Sequence, residues 1–140
     1  MATNEILIKF AKDHEQQQTL FNRYDNAQKI EAAGTTDLYN DLRNFMKKHN
    51  NRECTLYSEY EYTSSEMTDL IHRANNQGEI LLELLEDSLV SETKEETLKN
   101  LKKFQELLNR QVILEEKSIY PRIEKQIKEN GQPSTIIDDF

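Results

Sequence analysis

Among the side chains of this 140-residue chain suited to metal or acid–base chemistry, the three histidines, His14, His49 and His72, are the most telling. His49 and Glu53 lie in "KHNNRECTLYSEY". Helical steps of three and four there trace Leu38, Leu42, Phe45, His49, Glu53, Leu56 and Tyr60 along one side. That side should face a core, so a histidine and a carboxylate one turn apart interrupt an apolar stripe. An unpaired carboxylate buried there would cost several kcal/mol, against about 5–15 kcal/mol for a whole domain. Two compensations are open: a buried hydrogen-bonded pair, or a shared centre at which both side chains point. Gln111 and Glu115, in "NRQVILEEKSIYP", repeat the i, i+4 spacing, and His14 stands among Leu7, Phe10 and Phe21. Three imidazoles, two carboxylates and one amide could therefore converge from four segments. Glu116 is expected to be solvated or to support a neighbouring ligand, and Cys54 to be a small packed residue.

Positioning these groups requires long helices, and the composition supplies them. Only 3 Gly and 2 Pro occur, and β-branched residues are sparse. A first helix is expected from about Thr3 or Asn4 to about Ala33, with Gly34 as its stop and Thr36 as the next N-cap. A second runs from about Asp37 to Tyr62 and a third, after "TSSE", to about Val90. A fourth is opened by Thr93 and Glu96 at capping-box spacing and continues to about Lys128. Pro121 should kink or break it. "FMKK…TLYSEYE" in the second helix loosely echoes "FQEL…KSIYPRIE" in the fourth. Short connections make an all-α, up-down-up-down antiparallel four-helix bundle the expected fold, one domain over residues 1–130 with a tail at 131–140. The third helix has its apolar stripe at Met67, Ile71, Ala74, Gly78, Leu82, Leu85 and Leu89. His72 falls about 100° from Ile71, at the edge of that stripe.

The order "DHEQQQTLF", "HNNRE", "IHRANN", "ILEEKSIYP" resembles the hemerythrin-like HHE cation-binding family over nearly the whole chain. The resemblance implies a four-helix bundle holding a non-haem di-iron centre. It implies His14, His49, Glu53, His72 and Glu115 as ligands, with Gln111 and Glu116 as weak ligands or supporting groups. The family has a histidine where this chain has Gln111, so the di-iron site could be incomplete. Asn76, where oxygen carriers of the wider group place a second histidine, favours the HHE type. The implied role is binding or sensing of oxygen, nitric oxide or peroxide, or iron handling, rather than enzymatic turnover.

The acidic balance, net charge -8, argues against nucleic acid and anionic membrane surfaces as partners. One cysteine excludes an intrachain disulfide and a Cys-rich zinc site. No secretory signal or bilayer-length apolar run is visible, so a cytoplasmic location is expected. Glu-x-x-His, HExxH, Walker and GxGxxG patterns are absent from the sequence. Two rivals remain. One is a degenerate bundle without metal, acting as a helical interaction module and able to form a homodimer through "ILLELLEDSLV" of the third helix. The other is a mononuclear iron or zinc site built from His14, His49 and Glu53.

Overall fold

The computed structural model describes residues 4–133, which form helices and turns and contain no strand. Helix α1 spans Glu5–Lys29, α2 Thr35–Tyr60, α3 Ser65–Val90 and α4 Lys94–Leu114. A π-helical turn over Glu115–Ile119 joins α4 to α5, Tyr120–Asn130. Consecutive helices pack on one another, and α1 closes the ring against α4. Tyr24 near the end of α1 meets Tyr39 near the start of α2, while Asn4 at the start of α1 meets Glu124 in α5. Neighbours are therefore antiparallel, and the fold is the up-down-up-down bundle expected from the sequence. Among the described residues no helix is long and apolar enough to cross a membrane.

The helix starts follow local chemistry. Asn4 accepts from the backbone N–H groups of Ile6 and Leu7, Ser64 from Met67, and Thr93 from Glu96. The first turn departs from the expectation. Helix α1 ends at Lys29, and Glu31, not Gly34, takes the left-handed conformation (φ 53°) that closes it. The Ala32 N–H reaches the Ala27 carbonyl and the Glu31 N–H that of Gln28, a Schellman closure. Gly34 then occupies the N-cap position of α2 at φ 82°, leaving Thr36 inside the helix.

Two apolar clusters fill the bundle. One gathers Leu7, Phe10, Leu56, Tyr57, Ile71, Tyr120 and Ile123 at the end where the chain enters. The other gathers Phe21, Tyr24, Leu42, Met46, Leu85, Leu101 and Phe104 at the opposite end. Between them lies a buried polar layer containing His14, Gln17, His49, Glu53, Gln111 and Glu115. In the first half of α2 the buried face is Tyr39 and Met46, one residue on from the expected Leu38 and Phe45. In α3, Leu81 and Ser88 are buried, with Leu82 and Leu89 packed at the margin. Cys54 is exposed, not packed. Of the expected tail, residues 134–140 lie outside those described.

Candidate metal centre

Helix α2 supplies a column of three side chains one turn apart: His49, Glu53 and Tyr57, all buried. His14 faces them from α1, and Glu115 and Tyr120 face them from the far side of the bundle. Glu115 and Tyr120 are five residues apart, a spacing that an α-helix would swing away from one face. The π turn brings them together: the Tyr120 N–H reaches back five residues to the Glu115 carbonyl. Pro121 explains the wide turn. It has no N–H to give, and its ring crowds the carbonyl one turn back, so the helix loosens just before it. The Arg122 guanidinium donates to the Ser118 carbonyl in the π turn at 2.7 Å.

Each inner imidazole faces one carboxylate. His14 Nε2 lies 3.1 Å from Glu115 Oε1, and His49 Nε2 lies 3.1 Å from Glu53 Oε1. One donor atom from each of His14, His49, Glu53 and Glu115 lies within 4.8 Å of the others. The outward ring nitrogens are held as well. His14 Nδ1 pairs with Glu116 Oε2 at 2.7 Å and His49 Nδ1 with Asp13 Oδ2 at 2.9 Å. Arg52 backs Asp13 at 3.6 Å. A carboxylate on Nδ1 fixes the tautomer and leaves Nε2 free to ligate, the usual support of a metal-bound histidine.

The second oxygens of the two carboxylates have a different role. Tyr120 donates to Glu53 Oε2 at 2.7 Å. The Tyr57 hydroxyl lies between Glu53 Oε2, at 3.1 Å, and Glu115 Oε2, in a short contact. A phenol has one proton, so Tyr57 can donate to only one carboxylate at a time; the other contact is satisfied when Glu115 carries a proton.

Electrostatics agree with that division. Burial and the charge of Glu53 raise the Glu115 pKa. Burial opposes ionisation of Glu53 too, but the His49 charge and hydrogen bonds from Glu115 and His49 outweigh it and hold the pKa low. Burial alone would push both histidines down. The hydrogen bonds of Glu115 and Glu116 lift His14 to about 9 instead, and the charge of Glu53 with the hydrogen bond of Asp13 lifts His49 to about 10. The cluster therefore favours net positive charge between its carboxylates, which protons or a cation can supply. Two imidazoles with two carboxylates suit ferrous iron, zinc or a similar borderline ion.

One residue of the expected ligand set lies elsewhere, and the weaker candidate Gln111 turns aside within the layer. His72 is exposed on α3, its Nε2 paired with Glu61 at 2.6 Å. One helical step from buried Ile71 turns it out of the bundle, beyond reach of the four-residue group. Gln111 is buried, but its amide nitrogen donates to the Ala74 carbonyl at 3.0 Å. Its amide oxygen has no hydrogen-bond partner among the described residues. Glu116 supports His14 through the outer ring nitrogen. Asp13, Tyr57 and Tyr120 are the site residues that sequence reasoning did not assign. Asp13 directly precedes His14, and Tyr57 stands one turn beyond Glu53, so both left a signal; the five-residue spacing of Tyr120 did not.

Two clefts lie beside the layer, and the smaller opens onto Glu53. One of about 280 Å³, between α2 and α3, is lined by Asn50, Glu53, Asn75 and Gly78. The other, about 580 Å³, lies between α1 and the π turn and is lined by Lys12, Glu116 and Tyr120. Compared with protein-family models, with curated proteins and with solved structures, the chain finds no match.

Proposed function

We propose that the chain is a hemerythrin-like protein of the HHE type that binds non-haem iron through His14, His49, Glu53 and Glu115. The observation that carries this reading is the convergence of four buried donors within 4.8 Å, drawn from three parts of the bundle. Buried carboxylates and imidazoles are costly to assemble, and the outer carboxylates aim both imidazoles inward. Iron held by such a set supplies redox chemistry and affinity for small ligands such as oxygen, nitric oxide or peroxide. The chain's own part is to orient and to shield. Asp13 and Glu116 hold the ring tautomers, and the apolar clusters close the layer off along the bundle axis. Protons held by His14, His49 and Glu115 leave as a cation enters. The role proposed is reversible binding or sensing of a small ligand, or iron handling in a cytoplasmic setting.

The donor spread also bears on the number of ions. Ligands on one ion, at bonds of about 2.1 Å, lie at most about 4.2 Å apart, close to the spread seen here. A pair of ions about 3.5–4 Å apart wants terminal ligands spread over roughly 8 Å. One ion therefore fits this set better than the pair implied by the family resemblance. A metal-free interaction module is the second reading, because both imidazoles already have carboxylate partners on each side. A homodimer seated on α3, where Val90 is exposed, would be its partner surface.

Metal per chain, read by elemental mass spectrometry after anaerobic ferrous reconstitution, tests the reading. Wild-type protein should load, and saturating ferrous ion at about 100 times the dissociation constant should stabilise it by about 2.7 kcal/mol. His49→Ala should lose both the metal and the thermal shift. Wild-type protein that stays near zero retires the metal reading in favour of the interaction module.

A further inference from the structure

We infer that the hydroxyls of Tyr57 and Tyr120 limit the site to a single metal ion by occupying the second oxygen of each carboxylate. The inference rests on the proposed metal site and goes beyond it, because it assigns a positioning role to two residues that hold no metal themselves.

The two oxygens of each carboxylate meet different partners, although the Tyr120 hydroxyl also faces His14 Nε2 at 3.4 Å. Oε1 of Glu53 and Oε1 of Glu115 face the imidazole nitrogens at 3.1 Å. Oε2 of Glu53 takes the Tyr120 hydroxyl and meets that of Tyr57; Oε2 of Glu115 meets Tyr57. A carboxylate that bridges two ions in the two-oxygen mode places one oxygen on each ion. With Oε2 committed to a phenol, Glu53 and Glu115 can each offer only Oε1, and a second ion finds no carboxylate to bridge it through the other oxygen. Neither hydroxyl is free to turn away. Both rings are almost fully buried. Tyr120 stacks on the His14 ring with planes 8° apart and packs against Phe10. A tyrosine swung out of this layer would leave its own hydroxyl and a carboxylate oxygen buried without partners. Space filling alone does not account for the pair, because phenylalanine would fill the same volume without a polar atom to satisfy.

The test is an anaerobic titration with ferrous ion alone, comparing wild type with the Tyr57→Phe/Tyr120→Phe double variant. Bound iron is counted per chain, and the oxidised proteins are read by electron paramagnetic resonance. Wild type should bind one ion and show the signal of an isolated high-spin ferric centre. The double variant, with both Oε2 atoms released, should bind two and lose that signal to coupling between the ions. A purely structural role for the tyrosines would lower metal uptake on their removal, never raise it. Circular dichroism confirms that the variant is folded; should it not fold, Tyr57→Phe and Tyr120→Phe are titrated singly. The first releases Glu115 Oε2 and should take up more than one ion. Two ions in wild type, or one in a folded double variant, or one in both folded single variants, overturns the inference and leaves the metal site standing. No iron in wild type overturns the metal reading beneath it.

Discussion

Two columns of three residues face each other across the polar layer, and their differences show how the site is balanced. On α2 the column is His49, Glu53, Tyr57, at regular four-residue steps. Opposite it stand Gln111, Glu115 and Tyr120, four and then five residues apart, with the π turn absorbing the extra residue. Both columns end in a tyrosine that bonds a carboxylate across the layer. At the other end they diverge. His49 charges and holds its glutamate ionised, whereas Gln111 offers no charge and turns to the Ala74 carbonyl. Similar side chains therefore sit in unlike protonation states. A bundle can place matching donors by backbone geometry, while the neighbour one turn back decides which of them carries charge.

The sharpest test of that asymmetry is to neutralise each glutamate in turn, in chelated protein. Glu53→Gln should cost about 3–5 kcal/mol in urea unfolding, since it breaks the buried ion pair with His49 and leaves that cation only its outer partner, Asp13. Glu115→Gln, at a carboxyl that already holds a proton, should cost about 1 kcal/mol or less. Equal losses would break the comparison.

Next in size is the pH dependence of the chelated protein. His14 faces Glu115, Glu116 and Glu53, and His49 faces Asp13, Glu53 and Glu115; both fold with pKa values of about 9 and 10, above the ordinary 6.5. Their stabilisation is complete below pH 6.5 and vanishes as pH rises through 9 to 10. Glu115, raised as well, adds to the alkaline loss, while Glu53, held low, loses its contribution below its ordinary 4.5. Thermal melts should therefore fall by the equivalent of a few kcal/mol between pH 6.5 and 10. Flat melts would mean that the histidines are neutral.

Two affinity measurements follow. Asp13→Asn should weaken ferrous binding about 10–100-fold, because the carboxylate that orients His49 is gone. Gln111→His should tighten it about tenfold, giving Glu115 the i, i+4 imidazole that Glu53 already has. A histidine there that leaves affinity unchanged would show that the two columns are equivalent in outline only.

Much of this was legible in the chain before any coordinates. Caps at Asn4 and Thr93 and the apolar steps along α1 and α4 mark the bundle, because each is a local, strongly patterned signal. The placement of His49 and Glu53 on a buried face is equally local. Failures came where tertiary packing chooses between adjacent residues. Tyr39 and Met46 were preferred over Leu38 and Phe45, a rotation of one residue that hydrophobicity alone does not distinguish. Tyr120 was hidden for another reason: step-counting assumes a constant period, and the π turn breaks it between Glu115 and Tyr120. The outward turn of His72 follows from its offset of one residue from Ile71, which the order of the motifs does not register.

The contact between the two ends of the described chain has a mechanical consequence. The Asn4 backbone N–H donates to Glu124 at 2.8 Å, and its side chain reaches Gln132 at 3.2 Å. A force pulling these ends apart would act at one end of two antiparallel helices and peel them like a zipper, contact after contact. It would open the Leu7–Phe10 packing against α5 first and then arrive at His14 and Glu115. A cation bound there would be the first strong latch along that path. The rupture force of a single tethered molecule would then report whether the latch is closed.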